Sequence, residues 1–308
     1  MIIYNNKDWL KALAHFHTSF TIRVLLRRIL LVGIYGAVIT VIDIHWFDFR
    51  FHIDNTFFSL LGIMLSLLLV FRTNSSYDRF WEGRKQWGTL VNDSRNLAVM
   101  MDALIPTDDQ ANRRYFALTL SNFAHALKGH LRMGVQPEDF HETEDGTPAT
   151  ILRSQHVPSR IAALLLRRIK EMHRLRLITD ADLINLAPRH QSLLDVTGAC
   201  ERIRKTPIPF SYSFFIKLFI SIYLLVFPFV VTETYQYLTI PALMLAAYAL
   251  MGVEMIASEI EEPFGLDCND LPLNQIAKTI SRNVHEILAV DLQTDTKAAP
   301  EIEYMKVN

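Results

Sequence analysis

Four apolar runs, arranged as two pairs, restrict what this chain can become more than any other feature. They are Ile29 to Ile42, Phe57 to Phe71, Phe214 to Val231 and Leu238 to Ala257. A helix that crosses a bilayer needs about 20 apolar residues. The first two runs are shorter, and either alone could be a buried helix of a soluble protein. Two close pairs, each joined by a short loop, fit membrane hairpins better. The flanking charges agree. Arg23, Arg27 and Arg28 precede the first run, and Arg72, Arg79, Arg84 and Lys85 follow the second. Arg202, Arg204 and Lys205 precede the third, whereas the loops within the pairs hold only Arg50. Cytoplasmic loops collect Lys and Arg, so both termini are expected in the cytoplasm and both short loops outside. Trp46, Phe47, Tyr235 and Tyr237 lie in those loops, where interfacial aromatics belong. The first run begins too far into the chain, and lacks the small-residue site, for a cleavable leader to be expected.

Mean hydropathy is +0.17 over 308 residues. That is low for a chain that is nearly all membrane, so a few spans and a sizeable aqueous part are expected. A net charge of −1 excludes the basic excess of a nucleic-acid binder. The two cysteines, Cys200 and Cys268, have no metal-ligand spacing and read as reduced thiols. Lys217 and Glu254 fall inside the third and fourth runs, near their cytoplasmic ends. Each sits either at the interface or facing an aqueous vestibule. Pro228 should kink or end the third helix, whereas Pro241 lies harmlessly near a helix start.

Residues from about 77 to 206 read as helical. YFALTLSNFAHALKGHL and IAALLLRRIKEMHRLRLI repeat apolar positions at spacings of three and four. Thr179 or Asp180 can cap the next helix, a loop is expected near HETEDGTPAT, and the chain after Ile287 turns polar. There is no Gly-rich phosphate loop, GxSxG or HExxH, so catalysis has no support. His125 and His130 lie five apart with His141 in the loop beyond, a weak pattern for a metal site. Cys200, Glu201 and His190 could be imagined as a thiol site, but chance explains that spacing better.

The stretch from Leu60 to Asn96, with the core FRTNSSYDRFWEGRKQWG, resembles the bestrophin family, particularly its bacterial and plant-type branch. CERIRKTPIPFSY, before the third run, and EEPFGLDCNDLPL, after the fourth, match in the family's order. The resemblance implies an all-α homopentamer in a lipid bilayer, with four transmembrane helices per chain around one central pore. It implies one channel domain over 1–308, with membrane hairpins at about 29–71 and 214–257. A cytoplasmic helical region would cover 77–206 and a C-terminal segment 258–308. The neck would be lined by Ile63, Leu67 and Phe71, whose i, i+4, i+8 spacing places them near one helix face but by itself fits an ordinary core stripe as well. Gly62 and Ser66 would let helices approach closely. A second, cytoplasmic aperture falls near Leu183, Ile184 or Leu186, with Ile184 the choice. Asp267 and Asp270 match two positions of the calcium clasp of animal bestrophins. Calcium wants six to eight oxygens, however, and these carboxylates could equally cap the next helix. No cofactor is required by this reading.

Selectivity is read from opposing features. The family is associated with anion conduction, chloride above all, and arginines follow the neck. Asp43, Asp48 and Asp54 would make the outer mouth negative and favour cations. Anions are favoured, with a monovalent cation channel as the alternative. A reading of another class is a non-conducting membrane-anchored structural or signalling protein.

Overall fold

The computed structural model describes residues 2–3, 20–47, 55–132, 134–144, 148–267, 269–290 and 305–306. Its elements are helices α1 (Phe20–Ile42), α2 (Asn55–Leu104), α3 (Gln110–Leu131), α4 (Pro148–Ile151), α5 (Val157–Arg174), α6 (Asp180–Lys205), α7 (Phe210–Tyr235), α8 (Thr239–Ile260) and α9 (Leu273–Ile287). A π-helical turn, Asp43–Phe47, extends α1, and a 3-10 turn, Gln236–Leu238, joins α7 to α8. A two-residue antiparallel ladder pairs β1 (Ile2–Ile3) with β2 (Met305–Lys306). The rest of the described regular structure is helical. The chain forms two compact units, one of Tyr4–Phe80 and Pro207–Glu262, the other of Met1–Ile3, Trp81–Thr206 and Pro263–Asn308.

In the first unit, every helix turns an i, i+4 stripe inward. Leu25 and Ile29 come from α1, Leu65 and Leu69 from α2, Ile216, Ile220 and Leu224 from α7, and Leu243 and Ala247 from α8. The outward faces are just as apolar. Leu30, Leu31, Ile34 and Val38 of α1 are exposed, as are Phe214, Leu218, Ile222 and Leu225 of α7. A helix that is hydrophobic all round suits a membrane span, where the outer solvent is lipid. Among the described residues, three stretches are long and apolar enough to cross a membrane: Ile22–Trp46, Asn55–Leu104 and Phe210–Ile260. The third contains both α7 and α8. Gly36 lets α1 lie close to α8, since a Cβ there would stand 2.5 Å from Leu243 Cδ2. Pro228 does not end α7, which continues to Tyr235, and its carbonyl accepts the Thr232 hydroxyl at 2.6 Å.

The second unit is built on α3, whose residues are buried on almost every side. Helices α9 and α5 pack against it, and α6 packs on α5. Both α5 and α9 are amphipathic: Ile161, Leu164, Leu165, Ile169 and Met172 are buried on one, Leu273, Ala277, Ile280 and Val284 on the other. The helix starts are capped by the chain itself. Asp109 accepts the Asn112 N–H at 3.1 Å at the head of α3. Thr179, not Asp180, caps α6 through a reciprocal capping box with Asp182. Arg113 seals the α2–α3 turn, donating to Asp102 at 2.7 Å and to the carbonyl of Ile105 at 2.9 Å.

Candidate functional site

Helix α2 has 50 residues and is about 75 Å long at 1.5 Å per residue. In the first unit its two faces are both apolar but have different surroundings. Phe58, Leu65 and Leu69 are buried. Phe58 stacks on Tyr223 of α7 with ring centroids 4.4 Å apart. Gly62 lies beneath the same ring, where a Cβ would come within 2.8 Å of the Tyr223 hydroxyl. Ser66 is exposed, and its hydroxyl donates back to the Gly62 carbonyl at 2.8 Å. Ile63, Leu67 and Phe71 point away from this core and are 66, 55 and 55% exposed. Successive members of an i, i+4 series rotate by only about 40°, so the three form one line of large uncovered apolar side chains.

The residue after Phe71 does the opposite. Arg72 is 1% exposed and turns into the unit, donating to Glu261 Oε2 at 2.6 Å. Ser76 and Ser258 accept from the same guanidinium at 3.4 Å each. The other Glu261 oxygen accepts the Ile208 N–H at 2.7 Å, and Arg79 Nε donates to the Glu261 carbonyl at 3.1 Å. Both terminal nitrogens of Arg72 and both Glu261 oxygens are thus filled, as a buried charge pair requires, whereas Arg72 Nε has no acceptor among the described residues. The arginine nearest the line of apolar side chains is therefore committed to a carboxylate. Lys217 and Glu254, read separately in the sequence, are partners at 3.5 Å. Glu254 is buried and also accepts the Ser258 hydroxyl at 2.8 Å.

These features occur in a chain whose residues 1–286 match the family described as Bacterial/Fungal Bestrophin protein. The chain belongs to the bestrophin family. A voltage-dependent anion channel-forming protein of Nostoc sp. is 31% identical over 291 residues, covering 92% of this chain and 93% of the relative. The Escherichia coli K12 protein YneE, of the same description, is 30% identical over 287 residues, 91% of each chain. A crystal structure of a point variant of a bacterial bestrophin homologue from Klebsiella pneumoniae superposes with a TM-score of 0.79 at 29% identity. It covers 86% of this chain and 99% of that one. Membership points to a membrane ion channel and not to an enzyme.

The remaining sequence-derived positions of this bestrophin are dispersed. Asp43 lies in the π-helical turn and is half-buried; Asp48 and Asp54 lie outside the described residues. His45 Nε2 and the Tyr237 hydroxyl, from the two loop regions, meet at 2.9 Å. Ile184 is 70% exposed on α6, whereas Leu186 is buried. Asp270 is buried, and its Oδ2 accepts the Asp267 N–H at 2.6 Å, while the Asp267 side chain is exposed. The loop thus presents one exposed carboxylate and one that accepts from its own backbone.

The three histidines grouped in the sequence separate. His125 and His141 lie in a buried polar region with His285, and His130 lies elsewhere. Burial, together with Lys128 nearby, pushes His125 down to about 4. Burial also lowers His141 and His285. Cys200 is buried, and burial with the charges of Glu82 and Glu201 pushes its thiol up to about 12. That is an inert thiol. His190 bonds the Ala162 carbonyl at 2.8 Å. The imagined thiol site therefore dissolves, and Glu201 has other partners, described below.

Proposed function

We propose that this chain is one subunit of a homopentameric channel that passes small monovalent anions such as chloride. In this reading four helices, α1, the first part of α2, α7 and α8, cross the membrane. At 26 and 22 residues, α7 and α8 are each long enough to span it. Both termini lie in the cytoplasm, the membrane is the bacterial inner membrane, and the whole chain acts as one channel domain.

The observation that carries the proposal is the line of Ile63, Leu67 and Phe71. One chain leaves it uncovered while the opposite face of α2 is packed. Five copies would give three apolar rings, and a narrow apolar tube gates by losing water. Ile184 is read as the cytoplasmic aperture. No cofactor is needed. The anion preference is supported by relatives described as voltage-dependent anion channel-forming proteins. The second reading, a monovalent cation channel, is favoured by two observations: Arg72 is neutralised by Glu261, and the outer turn holds Asp43. Asp48 and Asp54 of the loop are assigned to the same mouth.

The test is the reversal potential of the purified protein in planar bilayers under a potassium chloride gradient. We expect a shift toward the chloride equilibrium potential; a shift toward that of potassium establishes the second reading. Replacing Ile63, Leu67 and Phe71 together with alanine should raise conductance severalfold. Unchanged currents from a well-folded triple variant would remove these residues from the pore. An absence of current from intact oligomers, even in that variant, would favour the non-conducting structural reading.

A further inference from the structure

We infer that His130, His156 and Glu201 form a binding site for a borderline divalent transition metal, zinc being the natural probe. This inference is independent of the pore reading, since all three residues belong to the second unit, built on α3.

Three separate elements supply the donors. His130 is in the last turn of α3, His156 is the N-cap of α5, and Glu201 is in the last two turns of α6. Both imidazole Nε2 atoms approach the same oxygen, Glu201 Oε1, at 2.6 Å each. The ring centroids lie 4.6 Å apart, and one ligand atom from each residue falls within 4.8 Å of the other two. In the metal-free protein these contacts are imidazole N–H groups donating to a carboxylate. Burial pushes the Glu201 carboxyl up, but hydrogen bonds from His156, Lys205 and His130 outweigh it and hold it at about 2. It is therefore an anion at neutral pH, ready to act as a ligand.

The remaining contacts define what an ion would meet. Lys205 Nζ donates to the second oxygen, Glu201 Oε2, at 3.1 Å. It thereby fixes the carboxylate with Oε1 toward the histidines, the kind of outer contact that orients ligands in metal sites. Arg204 donates to the His130 carbonyl at 2.6 Å, which anchors the end of α3. The three side chains are 22, 38 and 19% exposed. An ion has a way in, and a water can take a fourth position. Zinc bonds N and O ligands at about 2.0–2.2 Å in a tetrahedron, so ligand atoms stand about 3.3 Å apart. The two 2.6 Å contacts need open by less than about 1 Å to admit it.

Two nitrogens and one carboxylate oxygen suit zinc, copper or nickel rather than calcium or magnesium, which prefer oxygen. The nearby Lys205 and Arg204 charges oppose a dication, so binding should be weaker than at a closed four-ligand structural site. His156 Nδ1 now accepts the Ser159 N–H at 3.2 Å. When Nε2 takes the metal, the ring proton moves to Nδ1. The side-chain cap of α5 is then exchanged for a ligand bond joining α5 to α3 and α6.

The experiment is titration of the full-length, chelator-stripped protein in detergent with zinc chloride, followed calorimetrically, with bound metal counted after desalting. We expect one saturable zinc per chain that is not displaced by excess magnesium or calcium. His156→Gln, His130→Gln and Glu201→Gln should each weaken binding at least about tenfold, no less than the loss of an outer-contact residue. His173→Gln, which alters an exposed His–Asp pair, should leave it unchanged. Because Glu201→Gln also removes three contacts, X-ray absorption at the zinc edge of the unmodified protein gives a reading that needs no variant. Two imidazoles with oxygen neighbours are expected. No saturable binding, full binding in His156→Gln, or a shell containing sulfur or lacking imidazole would each overturn the site.

Discussion

In the unit holding α1, α7 and α8, each helix buries an i, i+4 pair and leaves side chains of the same apolarity outside. In the unit built on α3, helices α5 and α9 bury one apolar stripe and turn polar residues outward. The difference lies in what each unit takes as solvent. Where the surroundings are lipid, apolarity carries no information about which face packs. Small residues and buried charge pairs then set the arrangement, as Gly36, Gly62 and Arg72–Glu261 do here. Where the surroundings are water, the apolar stripe alone orients the helix. Ion pairing differs in the same way. The Arg72–Glu261 pair is buried and tied by further hydrogen bonds through the two terminal guanidinium nitrogens, while the His130–Glu201–His156 cluster is open to exchange.

Removing one member of the buried pair should have the largest effect on stability. Glu261→Ala leaves the Arg72 guanidinium buried without its counter-charge and should cost about 3–5 kcal/mol. Denaturant unfolding in detergent would measure it. Arg202→Ala, which removes an exposed pair with Glu82, should cost less than about 1 kcal/mol by the same assay.

The two faces of α2 come next. Leu65→Ala should cost about 2–5 kcal/mol because Leu65 is fully buried. Leu67→Ala should change stability by less than about 0.5 kcal/mol while altering conductance. Equal stability losses would mean that both faces pack alike and would remove the reason for assigning Leu67 to a pore.

Acid should act selectively on the helical unit. Folding lowers the His125 pKa from 6.5 to about 4, so the unfolded chain binds the extra proton between those values. The associated stability is present above about pH 6.5 and is lost as the pH falls toward 4, on the order of 2–3 kcal/mol. His141 and His285 are displaced in the same direction and add to the effect. A melting series from pH 7.5 to about 4 should show the loss, and His125→Gln should flatten it. Thr179→Ala should cost about 1 kcal/mol through loss of the α6 cap, read as a lowered melting temperature.

The shared helix face and the family were legible in the sequence. Ile63, Leu67 and Phe71 share a face because helical periodicity requires it, and the motif around FRTNSSYDRFWEGRKQWG pointed to the family that the comparison with known proteins then identified. Other parts were not legible. Lys217 and Glu254 are 37 positions apart in sequence, and no local pattern signals that they meet. Glu201 looked like a neighbour of Cys200, but adjacent helical residues point about 100° apart. Its carboxylate instead meets histidines on two other helices. His130 looked like a companion of His125 and His141, yet five residues carry a helix about 140° beyond one full turn.

Sequence alone therefore determined the helical class, the membrane-type hydropathy of the paired runs, the shared face of Ile63, Leu67 and Phe71 on α2 and the family, because each is encoded in composition, period or contiguous motif. Tertiary structure decided which apolar face packs and which charges neutralise each other. It also decided which histidines converge on a carboxylate. Those outcomes depend on residues far apart in the chain, brought within a few ångströms by helix packing that no local window contains.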